Sequence, residues 1–296
     1  MRHALDCVGL RPGAVSNWDI PMQNEVLLPS AGLARDSWVS STRRESRFFR
    51  GMSLFLFAIV LTGFSRTFFL RSAFSVPPIA VHVYAHALLM TGWFVLFIVQ
   101  TSLIAVHRVD LHRRLGILGA VLATCLIVVT TATTLGLPAH YKIDPAPNGV
   151  PMTPDGMIGI VWGNFGAMVL FTTFVGAAIA LRRRTDIHKR LMLVASIVLV
   201  GPAVGRYIAY LNIWKDQSSA PRLVSLLVIL VALTVFMLPL TLVVHDLRTT
   251  RRLHPATLWS ATGYWLVGIG SNIALPATAA GRALGNLCAA RHAGVG

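Results

Sequence analysis

Charged residues are scarce. They fill 12% of the 296 positions, about half the share usual in a soluble globular chain. Acidic groups are the scarcer sign, 11 against 26 basic, and no carboxylate falls at the centre of an apolar run. Carriers driven by protons or cations keep an acidic group at mid-membrane, where its cost marks its use, so a carboxylate-driven pump is disfavoured. Cysteine is limited to Cys7, Cys125 and Cys288, far apart and without a CxxC pair, which argues against a disulfide framework or a thiolate metal site. Walker, HExxH and GxSxG motifs are absent, so the chemistries they carry have no support here.

Long apolar runs stand where the charge is missing. The chain is 55% hydrophobic with a mean hydropathy of +0.66. Runs near 51–70, 79–105, 115–137, 157–181, 190–211 and 222–245 each match the roughly 20 residues that cross a bilayer as a helix. They predict an all-α fold, a polytopic transmembrane helical bundle of six to seven spans. The seventh is a weaker stretch, 257–280, interrupted by Gly263, Gly268, Gly270, Asn272 and Pro276; it is either a membrane helix or a re-entrant piece. Residues 1–47 read as a disordered cytoplasmic tail without a secretory signal. Residues 48–247 read as the six-helix transmembrane domain, and 248–296 as a cytoplasmic segment and tail around the candidate seventh helix.

The net charge of +15 sits in short clusters beside the apolar runs. That placement is a topology signal and a contact with the lipid bilayer, not a nucleic-acid footprint. Fifteen Arg and Lys flank the spans on one side, against five on the other. The positive-inside rule then predicts an inner-membrane, multi-pass protein with a cytoplasmic N-terminus, and with the five-proline loop 138–156 facing outward.

Two segments are nearly the same. VDLHRRLGIL at 109–118 returns as TDIHKRLMLV at 185–194, an offset of 76 residues that aligns the hairpins 79–137 and 157–211. Two spans separate the copies, so the hairpins point the same way, as a parallel internal two-helix repeat does. Asp110 and Asp186 are expected to cap helices, taking orphan N–H groups at the positive dipole end. The Arg and Lys that follow are expected to anchor those ends to headgroups.

Histidine supplies most of the remaining chemistry, at two levels. His82 and His86 lie at i and i+4 toward the outer end of the second span and share a face that continues through Trp93 and Gln100. Being on one helix, they cannot bind one haem iron from opposite sides. Their repeat-related positions hold Ile158 and Trp162. The inner level holds His107, His112, His188, His245 and His254. His112 and His188 are repeat-related and can face each other, which leaves two uses open: ligands to a haem or a metal, or interface contacts with lipid phosphate. At the outer level, Arg66 and Arg206 close their spans, with Asn164 and Tyr207 at comparable depth. With His82 and His86 they outline a pocket for an anionic lipid, a quinone-like compound or another small-molecule ligand; alternatively Arg206 snorkels outward.

The stretch HVYAHALLMTGWFVLFIVQTSLIAVHRVDLHRRLG (82–116), with HPATLW at 254–259, resembles uncharacterised bacterial multi-pass membrane families with an HRRLG-type motif, which are distantly similar to the ascorbate-type b cytochromes. The resemblance covers roughly residues 48–260. For b-type cytochromes it implies paired histidines on four core helices, and here the fourth span, 157–181, has none. Two functions from different classes follow: a haem- or quinone-linked redox membrane protein, or a non-enzymatic transporter or anionic-lipid-binding protein.

Overall fold

The computed structural model describes residues 28–74, 79–143, 154–217 and 219–283. The chain divides into two units, residues 1–42 and 43–296. Residues 1–27 of the expected tail, and the middle of the expected outward loop (144–153), lie outside the described residues. Among the described residues the fold is helical and contains no strand. The helices are α1 (Leu28–Gly63), α2 (Val81–Ala105), α3 (Val109–Ile143), α4 (Pro154–Ala180), α5 (Thr185–Val198), α6 (Gly201–Gln217), α7 (Pro221–Thr250) and α8 (Pro255–Ile269). Six stretches are long and apolar enough to cross a membrane: Arg44–Gly63, Val81–Ala105, Val109–Gly136, Gly156–Ala180, Thr185–Leu211 and Pro221–Thr250. This is a multi-pass helical membrane protein.

Four expectations change. The segment expected as a tail up to residue 47 is helical from Leu28, because from Ala34 to Arg50 no glycine or proline interrupts it. The first span ends early, at Gly63, and passes into a π-helical turn, Ser65–Phe69. The fifth span is two helices, α5 and α6, parted at Leu199 and Val200, since Pro202 has no N–H to carry the ladder across. Helix α3 runs on to Ile143 through Pro138, so part of the expected loop is helix.

The end of the chain joins the bundle. Residues 255–283 form α8 and further helical turns after it. This stretch runs antiparallel to α4 along most of its length. A Cβ on Gly263 would meet the Phe174 ring at 3.6 Å, a Cβ on Gly163 would meet Asn272 at 2.5 Å, and Trp162 Nε1 donates to the Gly281 carbonyl at 3.0 Å. Pro239 of α7 explains the docking of α8. A proline inside a helix leaves the carbonyl four residues back, here Val235, without its N–H partner, and such a group needs a partner away from water. Tyr264 donates its hydroxyl to the Val235 carbonyl at 3.2 Å, and Trp265 Nε1 donates to that of Phe236 at 2.8 Å.

Neighbouring helices pack in pairs, α2 on α3, α4 on α5 and α6 on α7, with α8 against α4, α5 and α7. The centre is α5, where Leu193, Val194, Ala195 and Ile197 are fully buried. Trp93 of α2 packs edge-on to Phe171 of α4, with centroids 4.9 Å apart, and donates Nε1 to Ser196 of α5 at 3.2 Å. Gly63 lets α1 approach α6, because a Cβ there would stand 2.7 Å from the Ala203 carbonyl oxygen.

Candidate functional site

Both copies of the repeated hexamer open a helix at the same end of the bundle, called here the inner end. Asp110 and Asp186 are the second residues of α3 and α5. That is two places inside the N-cap, which in α5 is Arg184. From there each carboxylate still lies in the first turn, at the positive end of the helix dipole. The preceding turns are short, and His107 takes a left-handed φ of 60° to make the first of them.

The repeat brings His112 and His188 together. Their ring centroids lie 6.3 Å apart with planes at 86°, and both side chains are half-buried. His188 donates Nδ1–H to the Ala178 carbonyl at 2.8 Å, one of the carbonyls in the last turn of α4 that lack a helical partner. Its lone pair is then on Nε2. Gln100 reaches across from α2. With its amide nitrogen turned to His112, it donates to the His112 carbonyl at 3.2 Å and to Nδ1, and its oxygen accepts from the Gly116 N–H at 3.1 Å. Each imidazole is thus held by Nδ1 and presents Nε2.

Beside this pair lies a buried polar cluster that the sequence did not announce. Arg190 is 3% exposed and Asp246 is 0% exposed, and Arg190 Nη2 donates to Asp246 Oδ1 at 2.6 Å. Arg190 Nη1 also reaches the Asp186 carbonyl at 2.8 Å. Asp246 accepts further from Thr257 Oγ1 and from the His254 N–H. His254 caps α8: Nδ1 accepts from the Ala256 N–H at 3.1 Å, so the Nε2–H faces the Asp186 carboxylate at 2.8 Å. Arg190 was expected to touch headgroups. It is buried instead because a carboxylate on α7 takes its charge, whereas its repeat-related Arg114 is exposed. The available signal was Asp246 itself, the single acidic residue in the 30 residues of α7. His245, 7% exposed, stacks on Phe48 of α1 with centroids 4.0 Å apart, and neither ring nitrogen has a hydrogen-bond partner among the described residues.

The outer set divides among three places. Arg66 lies over the rings of Phe74 and Tyr210 at 4.9 and 5.2 Å, and Arg206 over Phe64 at 5.4 Å. Aromatic faces thus attend both guanidiniums. Tyr207 donates to the Ile59 carbonyl at 3.0 Å and meets Thr62. His86 turns to α3, where Thr130 holds its Nδ1 at 3.1 Å. His82 is exposed at the start of α2, and Asn164 is half-buried on α4. Compared with protein-family models, with curated proteins and with solved structures, the chain finds no match.

Proposed function

We propose that this is a redox protein of the inner membrane that holds one haem between His112 and His188. The spacing of the two rings carries the proposal. Two imidazoles bound through Nε2 at about 2.0 Å to one metal ion have centroids roughly 6 Å apart, and here they lie 6.3 Å apart. The outer contact of His188 fits as well. A ligating histidine almost always donates its other N–H to a carbonyl or carboxylate, as His188 does to Ala178. His112 is held the other way in the free protein: Gln100 donates to its Nδ1, so that amide would have to turn for Nδ1–H to face its oxygen when Nε2 binds.

A bound haem would supply one-electron exchange. The protein orients both rings through Nδ1, and Arg113 and Arg114 stand next to His112 in sequence, where they would meet the propionates, whereas Lys189 is paired with Glu45 at 2.5 Å. The four-helix ligand pattern implied by the b cytochromes reduces to this single pair, since His86 is bonded to Thr130 and has Trp162 at its repeat-related position. Anionic lipid would surround the basic inner collar. The deciding measurement is the visible spectrum of detergent-purified protein from haem-replete cells. A Soret band with b-type bands after dithionite is expected, and a featureless spectrum would sink the proposal.

In the same reading the inner end is cytoplasmic, supported by the fifteen-to-five excess of basic residues beside it. Single cysteines at positions 110 and 148, in a cysteine-free background, should label with an impermeant thiol reagent on spheroplasts only at 148. Labelling at 110 alone would invert the orientation.

A further inference from the structure

A cleft of about 570 Å³ opens at the inner end between α4, α5 and α8, within the size range of small-molecule sites. Its walls are apolar: Phe174, Ala177 and Leu181 from α4, Ile187 and Leu191 from α5, and Trp259 from α8. Polar groups gather at the mouth, where Arg184, Asp186 and His254 stand. Trp259 is 74% exposed on the rim, a large flat surface left open beside the buried Phe174 ring.

We infer that this cleft binds a quinone-class amphiphile, with its polar ring at the mouth and its apolar tail along the wall toward the lipid. The inference rests on the redox reading of the histidine pair and names the partner of that pair. Charge at the mouth selects the head. Arg184 contributes one positive charge and Asp186 one negative, while His254 carries its one proton on Nε2 facing Asp186. A phosphate head would face the carboxylate as well as the guanidinium. An uncharged head fits both, a quinone carbonyl accepting from Arg184 and, in the reduced form, a quinol hydroxyl donating to Asp186. Position points the same way. Ala177 and Ile187 line the cleft, and their chain neighbours Ala178 and His188 are the two residues hydrogen-bonded to each other. A ligand in the cleft therefore shares a wall with the imidazole pair, and quinones are the redox carriers soluble in the bilayer.

The test uses the full chain in detergent, titrated with a short-tailed ubiquinone analogue while tryptophan fluorescence is followed. Wild type should show saturable quenching. Trp259→Phe should remove most of its amplitude, and Ala177→Phe, which fills the cleft from α4, should weaken binding at least about tenfold. Trp259→Ala, at an exposed position, serves should Ala177→Phe fail to fold, and should weaken binding in the same direction. Unsaturable quenching, or equal affinity in wild type and both cleft variants, overturns the inference. So does native mass spectrometry in which the cleft retains phosphatidylglycerol, lost in Trp259→Ala, and excludes the quinone. The visible spectrum of the same sample reports separately on the histidine pair. Haem bands without quinone binding reject the cleft alone, and quinone binding without haem bands upholds the cleft and rejects the redox reading.

Discussion

Asp246→Ala is expected to lower the stability of the bundle by about 3–5 kcal/mol, the usual cost of removing one partner from a buried ion pair. The carboxylate is fully buried and gathers three helices at once: Arg190 of α5, its own α7, and the Thr257 hydroxyl and His254 N–H at the head of α8. Without it the Arg190 guanidinium stays buried and keeps only the Asp186 carbonyl. Attraction within the pair is largely offset by desolvation, so replacing both charges by apolar groups of similar size is far milder. Arg190→Met combined with Asp246→Leu should therefore recover most of the loss. Reversible unfolding in mixed detergent micelles measures both variants. A cost below about 1 kcal/mol for Asp246→Ala would mean that the pair behaves as an exposed one.

The spans were legible because they depend on the length and placement of apolar runs, which one sequence displays. The inner histidines were legible as a pair because the repeat sets them at equivalent positions, and two hairpins pointing the same way bring equivalent positions to one end. Arg190 was misjudged for the same reason that the repeat was found. Its copy, Arg114, lies on the surface, and only the packing of α7 and α8 separates their fates. The Arg190–Asp246 contact spans 56 residues, with no local pattern to mark it. The outer set was not legible in its contacts, since one sequence does not give the direction around each helix: His86 turns to Thr130, while Arg66 meets Phe74 and Tyr210. The course of 255–283 was hidden by its glycines, which read as interruptions. Gly163 and Gly263 are contact points on facing helices, and Tyr264 and Trp265 are partners for the carbonyls beside Pro239.

His112→Ala and His188→Ala are each expected to reduce bound haem by about tenfold or more, because axial ligation is what fixes a b-type haem in its site. His86→Ala and His254→Ala should keep it, since Thr130 and Asp186 occupy those rings. The two ligand variants should differ in their side effects. His188 also closes the end of α4 through the Ala178 carbonyl, so its loss should cost an additional 0.5–1.5 kcal/mol or so, the net worth of a hydrogen bond. His112 gives Gln100 its Nδ1 contact, but Gln100 keeps the His112 carbonyl and the Gly116 N–H, so His112→Ala should leave the fold closer to wild type. Added imidazole fills the space left by the missing ring and should restore the b-type bands in His112→Ala more fully than in His188→Ala. The readouts are haem per protein by pyridine haemochrome and thermal unfolding in detergent. Full haem content in both alanine variants, with the fold retained, would remove the pair from any ligand role and leave it as the contact that joins the two halves of the repeat.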